Sequence, residues 1–146
     1  MATPVAEVGK ILGLAGRAGH TLSPIQLIAM IEEGLPISAL ERLSESVAPA
    51  DTQFKYRIVS RATLARRKKP GHARLLGDEG DRLVRLAGVW TFALEVWGGD
   101  ALARAFFFRP HPLLEGRLPV DVVLSSELGA ELVKDILGRL KYGTAA

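Results

Sequence analysis

The stretch from Asp78 to Gly99, DEGDRLVRLAGVWTFALEVWGG, decides the fold. Leu83, Leu86, Ala87, Trp90, Leu94 and Trp97 follow one another at steps of three and four residues, the spacing of one stripe on an α-helix. The helix begins at Asp78 or Glu79, and Gly98-Gly99 closes it. Nowhere in the chain does an alternating apolar and polar pattern run long enough to make a useful strand.

Working outward toward the amino terminus, Ser60 can cap a helix that runs through Ala62, Leu64 and Ala65 to Lys69, where Pro70-Gly71 ends it. A short helix from about Thr52 to Val59 precedes it. Pro36 opens another, with Ile37, Leu40, Leu43 and Val47 at helical spacing, broken by Pro49-Ala50-Asp51. Ser23-Pro24-Ile25-Gln26 supplies an N-cap serine, a proline at the first helical position and a glutamine at the third. That helix carries Leu27, Ile28 and Ile31 and stops near Gly34. Residues 1–22 read as a flexible lead, with Gly9, Gly13, Gly16 and Gly19 spread through it.

Toward the carboxyl terminus, Asp100 caps a short helix ending in Phe106-Phe107-Phe108. His111 to Leu124, marked by Pro112, Gly116 and Pro119, reads mostly as loop, with Val120 to Leu124 a helical turn or an extended piece. The last helix spans about Ser126 to Tyr142, with Leu128, Leu132, Ile136, Leu137 and Leu140 on one side and Gly143 at its stop. The expected fold class is all-α.

Composition bounds what such a chain can be. The 146 residues suit one compact unit or two very small ones sharing a core, and 48% hydrophobic residues are enough to build an interior. The absence of cysteine excludes disulfides and thiolate metal sites and fits a reducing compartment. Apolar stretches are interrupted by charges or glycines short of the roughly 18 residues of a membrane span. The start, MATPVAEVGKILGLAGRAGH, has no basic leader ahead of a long apolar run, so a cytoplasmic location is expected.

Charge is unevenly placed. Lys55, Arg57, Arg61, Arg66, Arg67, Lys68, Lys69 and Arg74 fall within twenty residues that contain no Asp or Glu. The formal net charge is +3, so the remainder of the chain is net −5. Three short helices between Pro36 and Lys69, the third carrying this cluster, suit a helix-turn-helix unit that binds DNA. Arg61 can reach guanine, Ser60 and Thr63 can bind phosphate or base edges, and Arg66, Arg67, Lys68 and Lys69 are placed as backbone clamps. The same run would also offset a helix dipole while facing water, or meet an acidic protein surface.

Read together, several segments resemble the Xre/MbcA/ParS-like antitoxin family. Gly34-Leu35-Pro36 followed by Ala39-Leu40 is similar to the opening of its divergent helix-turn-helix. Ser60-Arg61-Ala62-Thr63-Leu64-Ala65-Arg66-Arg67 resembles its recognition helix. Asp81-Arg82-Leu83 with Arg85-Leu86-Ala87 looks like the following helix, with Gly80 where relatives carry serine. Ala93 to Gly98, Pro112 to Pro119 and Leu140 to Gly143 are similar to landmarks of its toxin-binding region, whereas Ala105 to Pro110 departs by carrying three phenylalanines. The resemblance covers nearly the whole chain from about residue 22.

It implies a helix-turn-helix domain over residues 23–76 and a small helical toxin-binding domain over 77–146. It further implies a homodimer that pairs with a RES-domain toxin consuming NAD, represses its own promoter by binding operator DNA, and is not an enzyme. Lys141, Tyr142 and Gly143 would then cover or enter the toxin's cleft, although an ordinary helix end would also place them there. A plain transcription regulator with no toxin partner is the alternative.

Other chemistry finds little support. Gly13, Gly16 and Gly19 make no phosphate loop, since no G-K-[ST] or G-x-G-x-x-G is present. His20, His72 and His111 lie far apart without ligand partners nearby, so no metal or cofactor is expected, and His72 reads as an extension of the basic patch. Ser125-Ser126 precedes a helix and reads as a cap rather than a nucleophile. Trp90 and Trp97 share a helix face and read as core and dimer-interface anchors.

Overall fold

A computed structural model describes residues 5–16, 19–69 and 73–143. In chain order these form α1 (Val5–Leu12), α2 (Pro24–Glu33), β1 (Leu35–Pro36), α3 (Ile37–Val47), a 3-10 turn (Phe54–Arg57), α4 (Arg61–Arg67), β2 (Arg74–Leu75), α5 (Asp78–Trp97), α6 (Asp100–Phe107), a second 3-10 turn (Pro112–Leu114), α7 (Pro119–Ser125) and α8 (Glu127–Lys141). The all-α expectation holds. The two strands are a single antiparallel bridge pairing Leu35 with Leu75 and Pro36 with Arg74, too short to leave an alternating signature.

Helix α5 is the axis of the molecule, with α1, α3, α6, α7 and α8 packed around it. Its middle is buried on nearly every side, Val89, Phe92 and Ala93 as well as the expected Leu83, Leu86, Ala87 and Trp90, while Leu94 and Trp97 are only half-buried near its end. A helix surrounded in this way loses the one-sided stripe that a surface helix shows. Trp90 meets Phe107 edge-on with ring centroids 5.4 Å apart, and Trp97 lies tilted on Phe106 at 6.0 Å, so the phenylalanine run of α6 is aromatic core.

Four local readings need correction. Residues 5–12 of the supposed flexible lead form α1, whose Val8 and Leu12 are fully buried against α3 and α5. Its glycine serves packing: a Cβ on Gly9 would sit 3.2 Å from Leu22 Cδ2. Asp100 is not the cap of α6, since Gly99 holds that position and Asp100 pairs one turn on with Arg104 at 3.4 Å. The proline-marked segment is less of a loop than expected: it holds a 3-10 turn and α7, the helical alternative for Val120 to Leu124, with Pro119 at the first helical position where its missing N–H is no loss.

The last correction concerns α8. Its buried face is Gly129, Ala130, Val133, Ile136 and Leu137, and the expected Leu128 and Leu132 point outward. Small residues choose that face. A Cβ on Gly129 would fall 2.0 Å from the Val122 carbonyl oxygen, so only glycine lets α7 and α8 approach as they do. The expected stop at Pro70-Gly71 lies outside the described residues.

The two ends of the chain share one interior. Phe54 meets Phe108 edge-on at 5.8 Å, Arg57 pairs with Asp121 at 3.3 Å, and Arg104 donates to the Ser46 carbonyl through Nε and Nη2 at 3.2 and 3.1 Å. Arg82 donates to the Ile58 carbonyl. Arg85 donates to the carbonyls of Val123 and Leu124, satisfying acceptors that the end of α7 leaves open.

Candidate functional site

Leu64, 2% exposed, is the buried side chain of helix α4; the others are exposed or half-buried. Ser60 caps it. The Ser60 hydroxyl accepts from the Thr63 backbone N–H at 3.2 Å and donates to Thr63 Oγ1 at 2.9 Å, and Thr63 Oγ1 accepts from Arg66 Nη2 at 3.3 Å. Serine, threonine and arginine are thereby chained from the cap of α4 to its last turn. Arg61 donates to the Gln53 side-chain oxygen, and its guanidinium lies over the Tyr56 ring 4.0 Å from the centroid.

The cations do not form a uniform patch. Ser60 and Arg61 are exposed and Thr63 half-buried at the start of α4, and Arg66 is exposed in its last turn. Arg67 turns back to Glu79 at the start of α5, 3.3 Å away, and Glu79 also accepts from the Leu76 backbone N–H at 3.0 Å. Arg67 therefore ties α4 to α5. Lys68 reaches Glu41 of α3 at 3.8 Å, while Lys69 is exposed just past the helix. The structure adds Gln53 and Tyr56, which hold Arg61 and which the cation count alone does not find. His72 lies outside the described residues.

At the carboxyl end, Lys141, Tyr142 and Gly143 form the last turn of α8 and its cap. Tyr142 is 69% exposed, and Gly143 takes a left-handed φ of 74°. Lys141 is not free: its ammonium donates to Glu95 of α5 at 2.7 Å and lies 5.7 Å from the Phe92 ring centroid. The hydrogen bond to Glu95 holds the Lys141 pKa above the ordinary lysine value. Among these three residues Tyr142 offers the most area to a partner.

Among the described residues no three His, Asp or Glu side chains gather as a metal-ligand group, and no helix is long and apolar enough to cross a membrane.

Comparison with known proteins accounts for the order of these parts. Residues 26–88 match the antitoxin Xre-like helix-turn-helix domain, and residues 92–143 match the antitoxin Xre/MbcA/ParS C-terminal toxin-binding domain. The exposed side of α4 falls in the first region and the Tyr142 end of α8 in the second, which defines a helix-turn-helix antitoxin with a toxin-binding module. The chain belongs to the Xre/MbcA/ParS-like antitoxin family. It is 29% identical over 146 residues to Antitoxin Xre of Yersinia enterocolitica serotype O:8 / biotype 1B, spanning 97% of this chain and 93% of that protein.

Proposed function

We propose that this antitoxin acts, without catalysis of its own, in the cytoplasm as a homodimer of a type II system. It neutralises a RES-domain toxin that degrades NAD and represses its own operon. Lys141, Tyr142 and Gly143 cover the toxin's cleft, with Glu95 holding Lys141 so that Tyr142 is presented on a fixed helix end. Ser60, Arg61 and Thr63 read or orient on operator DNA, and Arg66, with Lys68 and Lys69, contacts phosphates. Arg67, engaged by Glu79, contributes by fixing α4 on α5.

One observation supports this division of labour most: the cationic side of α4 and the aromatic end of α8 are both exposed, each within the region matched to the corresponding domain. The test uses the full chain with a purified RES-domain toxin from the same genome. A chain lacking Lys141 to Ala146 loses neutralisation and keeps operator binding; full neutralisation by it would overturn the cleft-covering role. Arg61→Ala weakens operator binding by ~1–3 kcal/mol, and Arg66→Ala weakens it with a salt slope lower by about one. Unchanged binding by both removes α4 from the interface.

A further inference from the structure

Opposite its buried face, α8 carries Leu128, Leu132, Asp135, Arg139 and Tyr142, separated by four, three, four and three residues and all exposed. That spacing sets them along one side of the helix. Leu128 is 79% and Leu132 44% exposed, neighbours one turn apart. Rotating the helix cannot hide them, because Gly129 is locked against Val122 and the opposite face is sealed by α5 and α7.

This side is continuous with the candidate toxin contact: it ends at Tyr142, and both leucines lie within residues 92–143, matched to the toxin-binding domain. The comparable exposed pair, Ile25 and Ile28 on α2, lies outside that region. From Leu128 to Tyr142 the ridge is about 21 Å long at 1.5 Å per residue.

We infer that Leu128 and Leu132 anchor the toxin complex: the outer side of α8 lies in an apolar groove of the toxin, with Tyr142 at the end that meets the cleft. The occupant of this surface is the toxin itself, held by a rigid helix face read at every turn. The inference rests on the toxin reading above and adds where affinity resides, separating an anchoring ridge from an inhibiting tip. A few fully desolvated side chains near the centre of a contact carry most of its binding energy, and a carboxylate placed there is left unpaired on complex formation.

The experiment measures binding of that purified RES-domain toxin to full-length chain carrying Leu128→Glu with Leu132→Glu. The expected result is affinity lower by about 100-fold, with operator binding and melting temperature unchanged because both side chains face solvent. Leu128→Ala with Leu132→Ala, which introduces no charge, lowers affinity by about 10-fold and carries the test should the glutamates disturb folding. Unchanged affinity in both pairs, while removal of Lys141 to Ala146 still releases the toxin, overturns the anchor and leaves the toxin reading standing. Failure of the unmodified chain to bind that toxin overturns both. A shift from dimer to monomer by light scattering, without loss of toxin affinity, assigns the ridge to self-association and overturns it also.

Discussion

Ser60 shows how much one side chain can organise. Its hydroxyl satisfies a backbone donor of α4 and fixes Thr63, which in turn holds Arg66. Ser60→Ala is expected to cost ~1 kcal/mol of stability through the lost cap and to weaken operator binding as α4 frays. Thermal melting and a binding titration check the two effects, and Ser60→Asp, which keeps a capping acceptor, should restore the first. Lys141 makes the complementary case at the other end. Its raised pKa means that the contribution of the Glu95 contact is fully present below the ordinary lysine pKa and is lost only as pH rises through the folded-state value. Changes of pH on the acid side of that range should leave the Lys141 ammonium charged. Glu95→Gln should bring its pKa down, as NMR of the ammonium or of the adjacent Cε would record.

Among the elements, α1 is the clearest test of the fold. Leu12 is 1% exposed and packs in the interior shared by α3 and α5, so Leu12→Ala should cost ~2–5 kcal/mol, read by denaturant titration. A flexible lead would tolerate the change. Helix α1 escaped sequence reading because it has only eight residues and Gly9, with the glycines that follow it, resembles a linker, whereas the use of Gly9 is to admit Leu22. Helices α2, α4 and α8 were legible from their serine caps, which leave a local mark: Ser23, Ser60 and Ser126 each accept from a backbone N–H of the first turn. The buried face of α8 was not legible, because a leucine spacing cannot say which side a neighbouring helix will claim when Gly129 and Ala130 permit a closer fit. The exposed residues of α4 could be named in advance from charge and cap. The ties of Arg67 to Glu79 and of Arg61 to Tyr56 depend on chain segments brought together only by folding.

At the scale of the whole molecule, the two matched regions meet inside α5, between Gly88 and Phe92, where Val89 and Trp90 are fully buried. No chain boundary can be cut there without opening the core. Unfolding should therefore be one cooperative transition followed alike by tryptophan fluorescence and circular dichroism, and Arg104→Ala, which removes two hydrogen bonds between α6 and the end of α3, should lower its midpoint without splitting it. Two separated transitions would show that the halves fold independently.

The bridge between Leu35 and Leu75 has its own consequence. Leu75 returns to the point that Leu35 leaves, and Arg74 strengthens the junction by donating to the Gly34 carbonyl at 2.9 Å. The intervening backbone is thus a loop knotted at its neck without a covalent tie. Trypsin cutting after Lys68, the Lys69–Pro70 bond being resistant to it, should yield two bands on a denaturing gel and one undivided particle in native buffer, because each fragment remains stitched to the other at that neck and through the common interior.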